Sequence, residues 1–213
     1  MKKKIIVRNY SLIQWNKTFN LMHNFINKKC KNDLDEIWFV EHYPIYTQGL
    51  KNSINKKIHK NIKNISVVSS DRGGDITFHG PGQQTIYFLI NLIKNKITVK
   101  KFLKKIIQST INSIAHFSIK SYYLKKYPGI YIKNKKVCSM GFKIKKGHSL
   151  HGISINIFTD LKYFKYIKPC GNKFLIMENL SNIVPNITLN YFKRVFLLNF
   201  LKIFNYKIFN YIK

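Results

Sequence analysis

The sequence predicts a fold of the α+β or mixed α/β class. Segments with strand-like and helix-like patterns are mixed along the chain without strict β-α-β alternation, which is typical of these classes. The length of 213 residues suits one sizeable core, and no break in composition indicates a second domain. Hydrophobic residues make up 45% of the chain, which is enough apolar side chain to offset the entropy of ordering. We therefore expect residues 1–213 to form one domain.

The first third of the chain predicts strands on either side of an amphipathic helix. Residues 5–7 predict a short strand. Apolar residues at three- and four-residue intervals then predict a helix that Ser11 caps and that ends near Lys28. The run EIWFVEH at residues 36–42 predicts a buried strand.

The middle of the chain predicts a loop, extended segments and a second helix. Residues 51–64 are rich in Lys and Asn and are expected to form a mobile surface loop, with a strand after them at residues 65–69. Residues 85–92 have an extended pattern. Thr98 opens a predicted helix whose apolar residues share one face while most of its lysines lie elsewhere. This pattern indicates core packing and not a membrane anchor.

The last part of the chain predicts short strands and a long helix. The three predicted strands span residues 129–132, 136–144 and 151–157, with a turn at Asn134 and Lys135 between the first two. The segments after them are predicted as a helical turn or two at residues 160–167, a helix from Thr188 to about Phe204 after Pro185, and a terminal strand. The pentapeptide KIFNY occurs twice in this tail, which is too few copies for a repeat fold.

The charge balance is extreme and has three interpretations. The chain carries 38 Lys and Arg against 8 Asp and Glu, a formal charge of +30. A nucleic-acid-binding protein is one class with this property. However, nearly all the basic residues are Lys, and Lys, Asn and Ile share AT-rich codons, so a codon bias explains the composition without selection for charge. An acidic protein partner is the third interpretation, because opposite charges accelerate association.

The cysteines and the hydropathy pattern indicate a cytosolic protein. The three cysteines are far apart and form no CxxC pair, so we expect neither a metal cluster nor disulfides. The first ten residues lack the apolar stretch of a secretory signal. No run reaches the ~18 apolar residues that a membrane span needs.

The segment RGGDITFHGPGQ, from Arg72 to Gln83, is the most informative part of the sequence. It holds four of the ten glycines in the chain. Glycine allows a backbone to approach a ligand closely. Arg72 supplies a cation and His79 a titratable donor beside that backbone, so this segment predicts a binding site. Neither GxxxxGK[ST] nor GxGxxG is present, so it is not a standard phosphate loop.

Three further segments contain residues that suit a reactive site. One is KVCSMG from Lys136, and another is HGISIN from His151 on a predicted strand. The third, KPCG, contains Cys170. Proline before this cysteine and glycine after it expose the cysteine at a turn, which is the setting of a reactive thiol. From the residues alone, a structural role for Cys170 is equally compatible with the pattern.

Together these segments resemble the lipoyl(octanoyl) transferase family. The glycine-rich segment is similar to the family signature RGG-x-[VI]-T-[YF]-HGPGQ, the segments at Lys136, His151 and Pro169 match three shorter family motifs in the same order, and EHYPIYTQG from Glu41 resembles the family's EHPPVYTxG. The resemblance covers about residues 36–181. It implies a single domain with the catalytic fold of biotin protein ligases and lipoate ligases, which is a mixed sheet with flanking helices.

The resemblance also implies a reaction and its residues. It implies that Cys170 is the nucleophile and that Lys136 is its partner, in transfer of an octanoyl or lipoyl group from acyl carrier protein to a lysine through a cysteine thioester. The residues implied to bind the substrate are Arg72, Gly73, Gly74, Asp75, Ile76, Thr77, Phe78, His79, Ser139, Met140, Gly141, Gly152, Ile153 and Ser154.

The implied acceptors are lipoyl domains of 2-oxoacid dehydrogenases and the glycine cleavage H protein, and the resemblance implies no metal or organic cofactor. Specific nucleic acid and membrane partners are not expected. Two alternatives stay open on the sequence. An ATP-dependent lipoate or biotin-type ligase would share the fold, although its adenylate site would need a longer glycine loop. A basic nucleic-acid-binding protein would not depend on Cys170 at all.

Overall fold

The computed structural model describes residues 2–28, 34–51 and 61–212. In these residues the chain forms strands in two sheets and three α-helices. The strands are β1 (Lys3–Ile13), β2 (Asp35–His42), β3 (Ile45–Gln48), β4 (Asn61–Ile62), β5 (Ile65–Ser69), β6 (Ile76–His79), β7 (Gln83–Leu89), β8 (Tyr122–Leu124), β9 (Gly129–Ile132), β10 (Lys135–Lys145), β11 (His148–Asn156) and β12 (Tyr206–Ile212). The helices are α1 (Trp15–Lys28), α2 (Val99–Ala115) and α3 (Leu189–Phe204).

The large sheet has eight strands in the order β12-β1-β2-β7-β11-β10-β9-β8. The pairs β12–β1 and β1–β2 are parallel, and every other neighbouring pair is antiparallel. The sheet is therefore mixed, as the family resemblance implied. No helix in the described residues is long and apolar enough to cross a membrane.

Helices cover both faces of the large sheet and so bury its central strands on both sides. In β2, Ile37 and Phe39 face the main core, which α2 and α3 complete, whereas Trp38 and Val40 pack with residues of α1. Successive side chains of a strand point to opposite faces, so one apolar run supplies two cores. The main core is rich in phenylalanine from α3, namely Phe192, Phe196, Phe200 and Phe204.

The small sheet, in the order β4-β5-β3-β6, carries the glycine-rich segment. Strand β6 is part of that segment, and β3 lies between β5 and β6. A third apolar cluster beside this sheet includes Tyr46, Phe78, Phe164 and Met177. Strands β3 and β6 were not predicted, because a strand of four residues is too short to show a clear period-two pattern.

The boundaries of the two later helices agree with the predictions. Thr98 caps α2 by accepting a hydrogen bond from Lys101 N at 3.2 Å, and Thr188 caps α3 by accepting one from Tyr191 N at 3.1 Å. Asn205 ends α3 in the left-handed conformation, with φ 58°. The tail then forms β12, which pairs with β1, so the predicted terminal strand is confirmed.

The predicted start of the first helix is wrong. Ser11 lies in β1, which continues to Ile13, and α1 begins at Trp15. Strand β1 is paired on both sides. Its register on β2 shifts between Asn9 and Leu12, and the pairing then continues to Ile13. The ladder on β2 therefore overrides the capping preference of Ser11.

Three smaller predictions also need correction. The turn between β9 and β10 is Lys133 and Asn134, both with positive φ, and Lys135 is already paired with Ile132. Strand β11 begins at His148, three residues before the predicted start. Of the predicted loop at residues 51–64, residues 52–60 lie outside the described part, and residues 61–62 form β4.

Candidate active site

The residues expected to form the site meet at one cavity of about 320 Å³. The glycine-rich segment forms one wall, and β10 and β11 form another. The two walls are joined where Gly73 N donates to Phe142 O at 2.9 Å. The residues of the sequence prediction that line the cavity are Arg72, Gly73, Gly74, Asp75, Ile76, Thr77, His79, Lys136, Ser139, Met140, Gly141, Gly152, Ile153, Ser154 and Cys170.

Phe78 is the exception among the expected substrate-binding residues. It is not part of the cavity lining, and its ring stacks on Tyr163 with centroids 4.7 Å apart and packs near Tyr46 at 5.4 Å. Because side chains alternate along a strand, Phe78 points away from the face that Thr77 and His79 share. Phe78 therefore supports the wall from behind and does not face the cavity.

Two paired glycines leave part of the sheet surface without side chains. Gly141 in β10 lies directly opposite Gly152 in β11. A Cβ atom on Gly152 would lie 1.9 Å from Ile86 O of β7, so any side chain there would push the strands apart. The cavity thus reaches the backbone of the sheet at this point.

Lys136 and Cys170 form a contact at the cavity. Lys136 Nζ donates to Cys170 Sγ at 3.2 Å, although the residues are 34 positions apart. Only 1% of Lys136 is exposed, and its ammonium lies 5.9 Å from the Tyr131 ring centroid. A lysine side chain within hydrogen-bonding distance of a cysteine sulfur is the arrangement of a nucleophile beside a group that can exchange protons with it, so the geometry suits nucleophilic catalysis.

The chain after Cys170 fixes this contact by pairing with the backbone of Lys136. Lys136 N donates to Ile176 O at 2.8 Å, and Glu178 N donates to Lys136 O at 2.9 Å. On its other side, β10 pairs with β9 and its register shifts between Lys136 and Cys138. Lys136 is therefore held on both sides at an irregular point of the sheet.

The two described cysteines differ in their surroundings. Cys170 is half-buried, and it lies in a short 3₁₀ turn (Pro169–Gly171) with φ 56°. Cys138 is in the core, where burial raises the pKa of its thiol to about 12. Cys138 therefore packs in the core as a small apolar residue does, and Cys30 lies outside the described residues.

Arg72 is buried in the cavity wall and is held by oxygen atoms of the backbone and a hydroxyl. Its Nη2 donates to Thr47 O at 2.7 Å and to Thr47 Oγ1 at 2.9 Å, and its Nη1 donates to Gly73 O at 3.0 Å. Burial lowers the pKa of Arg72 to about 10, so the guanidinium is still charged at neutral pH. It supplies a fixed positive charge to the cavity.

His79 is neutral, and both of its ring nitrogens are occupied. Nδ1 lies 2.8 Å from Gln83 Oε1, and Nε2 lies 3.2 Å from Thr47 Oγ1. The Gln83 amide nitrogen donates elsewhere, to Phe78 O and Asn156 Oδ1, so its oxygen accepts from His79 and the Thr47 hydroxyl donates to Nε2. Burial, with smaller contributions from His42 and Arg72, holds the pKa of His79 well below its ordinary value.

A second polar group lies at the other end of the lining. His151 pairs with Phe142, which is six residues along β10 from Lys136, or about 20 Å of strand. His151 Nε2 is 2.6 Å from Asp71 Oδ1, and Lys143 Nζ is 2.8 Å from Asp71 Oδ2. Burial opposes ionisation of Asp71, but these hydrogen bonds hold its pKa below the ordinary value.

The same group contains the residues that could hold a metal ion. His23, Asp71 and His151 each offer a ligand atom within 4.8 Å of the others. The Lys143 ammonium already occupies the carboxylate, which opposes a cation at this position.

Nine residues of the lining were not among the predicted site residues. His151 and Pro169 lie in segments that the sequence had singled out, but neither was assigned to the site. Leu103 and Ile107 lie on α2, where the pattern indicated core packing. No local motif distinguishes the other five, which come from distant elements. The nine residues are Trp15, Tyr87, Leu103, Ile107, Tyr123, Pro128, Phe142, His151 and Pro169.

The chain is similar to proteins of lipoate and biotin attachment. The Lipoyl protein ligase A/B catalytic domain family matches residues 16–201. The octanoyltransferase of Buchnera aphidicola subsp. Acyrthosiphon pisum is 47% identical over 190 residues, which are 89% of this chain and 89% of that protein.

Two solved structures show the fold. The bi-partite lipoate protein ligase from Thermoplasma acidophilum has a TM-score of 0.77 at 12% identity, covering 100% of this chain and 88% of that one. The biotin protein ligase from Aquifex aeolicus has a TM-score of 0.52 at 13% identity, covering 96% and 71%. The expected fold, a mixed sheet with flanking helices, is therefore confirmed.

The relatives also separate transfer from ATP-dependent ligation. The lipoate and biotin ligases named above share the fold at 12% and 13% identity, whereas the octanoyltransferase is 47% identical over 89% of both chains. Fold likeness alone does not fix a reaction class. On the family match and the sequence identity, this chain belongs to the octanoyltransferases of the lipoyl protein ligase A/B catalytic domain family.

Proposed function

We propose that this acyltransferase moves an octanoyl group from acyl carrier protein to a lysine of a lipoyl domain, through a thioester on Cys170. The observation that carries the proposal is the 3.2 Å contact between Lys136 Nζ and Cys170 Sγ at a cavity with glycine-rich walls. Residues 1–213 act as one catalytic domain, in the cytoplasm, where thiols stay reduced.

In the first half-reaction the Cys170 thiolate attacks the thioester carbonyl of the donor. A bond forms between the acyl carbon and Sγ, and the bond to the donor sulfur breaks. The departing sulfur takes a proton from the Lys136 ammonium, which leaves Lys136 as a neutral amine. Dividing the transfer into two steps lets each protein partner bind in turn.

In the second half-reaction the amine of the acceptor lysine attacks the Cys170 thioester. The amide bond forms, the bond to Sγ breaks, and the neutral Lys136 amine takes the proton that the acceptor nitrogen loses. The Cys170 thiolate and the Lys136 ammonium are thus restored. The donor is already a thioester, so the reaction as written consumes no ATP.

Acceptors in this proposal are the lipoyl domains of 2-oxoacid dehydrogenases and the glycine cleavage H protein. The substrate-binding roles fall to the cavity-lining part of the glycine-rich segment, to Ser139–Gly141 and to Gly152–Ser154. Arg72 contributes a fixed charge, and the paired glycines give the substrate access to the backbone of the sheet.

Intact-mass measurement tests the proposal. After incubation with octanoyl acyl carrier protein, the protein should gain the mass of one octanoyl group, which hydroxylamine removes. Cys170→Ala should gain none, whereas Cys30→Ala and Cys138→Ser should behave like the parent. Labelling that survives in Cys170→Ala, or acylation by free octanoate that needs ATP, would contradict the mechanism.

A further inference from the structure

A small apolar surface lies beside the reactive thiol, on the segment that follows it. Phe174 is 78% exposed and Ile176 is 58% exposed, and we call these two residues the apolar ledge. Phe174 N donates to Asn172 Oδ1 at 2.9 Å, and Ile176 O accepts from Lys136 N at 2.8 Å. The ledge is therefore attached directly to the backbone that holds Lys136 and Cys170.

The chain segment that carries the ledge is basic. Residues 161–177 contain four lysines and no acidic residue. Lys168 and Lys173 are exposed on either side of Cys170, and Lys173 Nζ lies 4.9 Å from the centroid of the Phe174 ring.

The rest of the described surface has almost no negative groups to balance these lysines. Each acidic residue in the described part of the chain is engaged inside the molecule, and Asp160, which is the exposed one, is 2.7 Å from Lys162 Nζ. The described acidic residues, each with an internal hydrogen bond or ion pair, are Asp35, Glu36, Glu41, Asp71, Asp75, Asp160 and Glu178. A partner that complements this surface must itself be acidic.

The short reach of the acceptor lysine limits where its domain can contact the enzyme. An acceptor lysine has a four-carbon stem, so the domain that bears it must contact the enzyme immediately around the Cys170 thioester. The ledge is only four and six residues beyond Cys170. An exposed aromatic residue within a charged rim is also the usual composition of an energetic centre in a protein interface.

We propose that the apolar ledge and the lysines around it are the docking surface for the acidic, lysine-bearing acceptor domain. This inference rests on the proposed function, and it assigns the ledge to the second half-reaction. Phe174 packs into the acceptor, and Lys168 and Lys173 attract its acidic groups.

The test separates the two half-reactions. Parent and variant enzymes are first loaded from octanoyl-coenzyme A, a small thioester, and the loaded enzyme is then mixed with an isolated acidic lipoyl domain. Phe174→Ala should load at the parent rate, but its half-saturating acceptor concentration should rise about tenfold, as for loss of an interface anchor. Lys173→Glu should weaken acceptor transfer and reduce its salt dependence.

Phe209→Ala is the matched control. Phe209 is 57% exposed in β12, at the opposite edge of the large sheet, and Lys4 Nζ also lies 4.9 Å from its ring centroid. This variant should match the parent in both steps.

Unchanged acceptor transfer in Phe174→Ala would overturn the proposal, and so would an equal loss in loading from octanoyl-coenzyme A. A defect confined to loading from octanoyl acyl carrier protein would assign the ledge to the donor instead. A parent enzyme that loads from neither octanoyl-coenzyme A nor octanoyl acyl carrier protein would contradict the proposed function, not the ledge.

Discussion

At the scale of single residues, the identity of Lys136 matters more than its charge alone. Among the many lysines that the structure describes, Lys136 is the one whose side chain is buried against Cys170, and its neighbour Lys135 is paired with Glu178 at 2.7 Å. In the proposed mechanism Lys136 must both stabilise a thiolate and exchange a proton. Arginine can do the first but cannot accept a proton at working pH.

Replacing Lys136 should therefore separate these two properties. Lys136→Ala should slow iodoacetamide alkylation of Cys170 at neutral pH and move its rate profile to higher pH, because the thiolate loses its cation. Lys136→Arg should keep fast alkylation but lose most of the acyl transfer. Lys135→Ala is the control and should follow the parent profile. If Lys136→Ala also follows the parent, another group activates the thiol, and His79 in the cavity lining is then the first residue to test.

At the scale of elements, the start of β9 makes room for the Lys136 side chain. A Cβ atom on Gly129 would lie 2.3 Å from Lys136 Cε and 2.4 Å from Cys138 O. The second contact is to backbone, so a small shift of the lysine tip cannot relieve it. The register shift between β9 and β10 occurs at the same place. Gly129 is thus a positioning residue for the ammonium.

Gly129→Ala should consequently displace the ammonium from the sulfur. We expect slower alkylation of Cys170 at neutral pH and a profile shifted toward that of Lys136→Ala, in a protein that still folds. Ile130→Val in the same strand controls for lost stability, since removing one buried methylene costs about 0.5–1.5 kcal/mol. The control should unfold at lower denaturant but keep the parent profile. An unshifted profile in Gly129→Ala would show that β9 does not position Lys136.

At the scale of the whole molecule, three buried histidines link stability to pH. Burial lowers the pKa of His42 to about 4, although a hydrogen bond with Ile13 O opposes the shift. Burial also lowers the pKa of His79 and of His151, in the second case against the pull of Asp71. These groups stay neutral in the folded protein where the unfolded chain binds protons.

The free energy of unfolding should therefore decrease as pH falls below about 6.5, the pKa of an unperturbed histidine. Each histidine contributes up to about 1.4 kcal/mol per pH unit between its unfolded and folded pKa. Urea midpoints measured from about pH 7.5 to about pH 5.5 should fall steadily. His42→Gln should flatten the slope, whereas replacing the exposed His116 by Gln should leave it unchanged. A constant midpoint for the parent would refute the linkage.

The residue pattern was enough to predict the fold class and the caps of α2 and α3, and the family resemblance carried by local motifs added most of the residues at the cavity. Caps and glycine-rich motifs are local, because they depend on neighbours within a few positions of the chain. The segment around Cys170 was likewise recognisable, since proline and glycine fix a turn locally. These features need no knowledge of the distant chain.

Contacts between distant segments could not be predicted from local patterns and are visible in the folded structure. The continuation of β1 through Ser11 depends on its pairing with β2, and the face of Phe78 depends on the packing of Tyr163 behind β6. The approach of Lys136 to Cys170 follows from backbone bonds to residues 176 and 178. Hydrogen bonds and packing between residues far apart in the sequence outweigh local conformational preferences of a few tenths of a kcal/mol. Such contacts are therefore seen only in the folded structure.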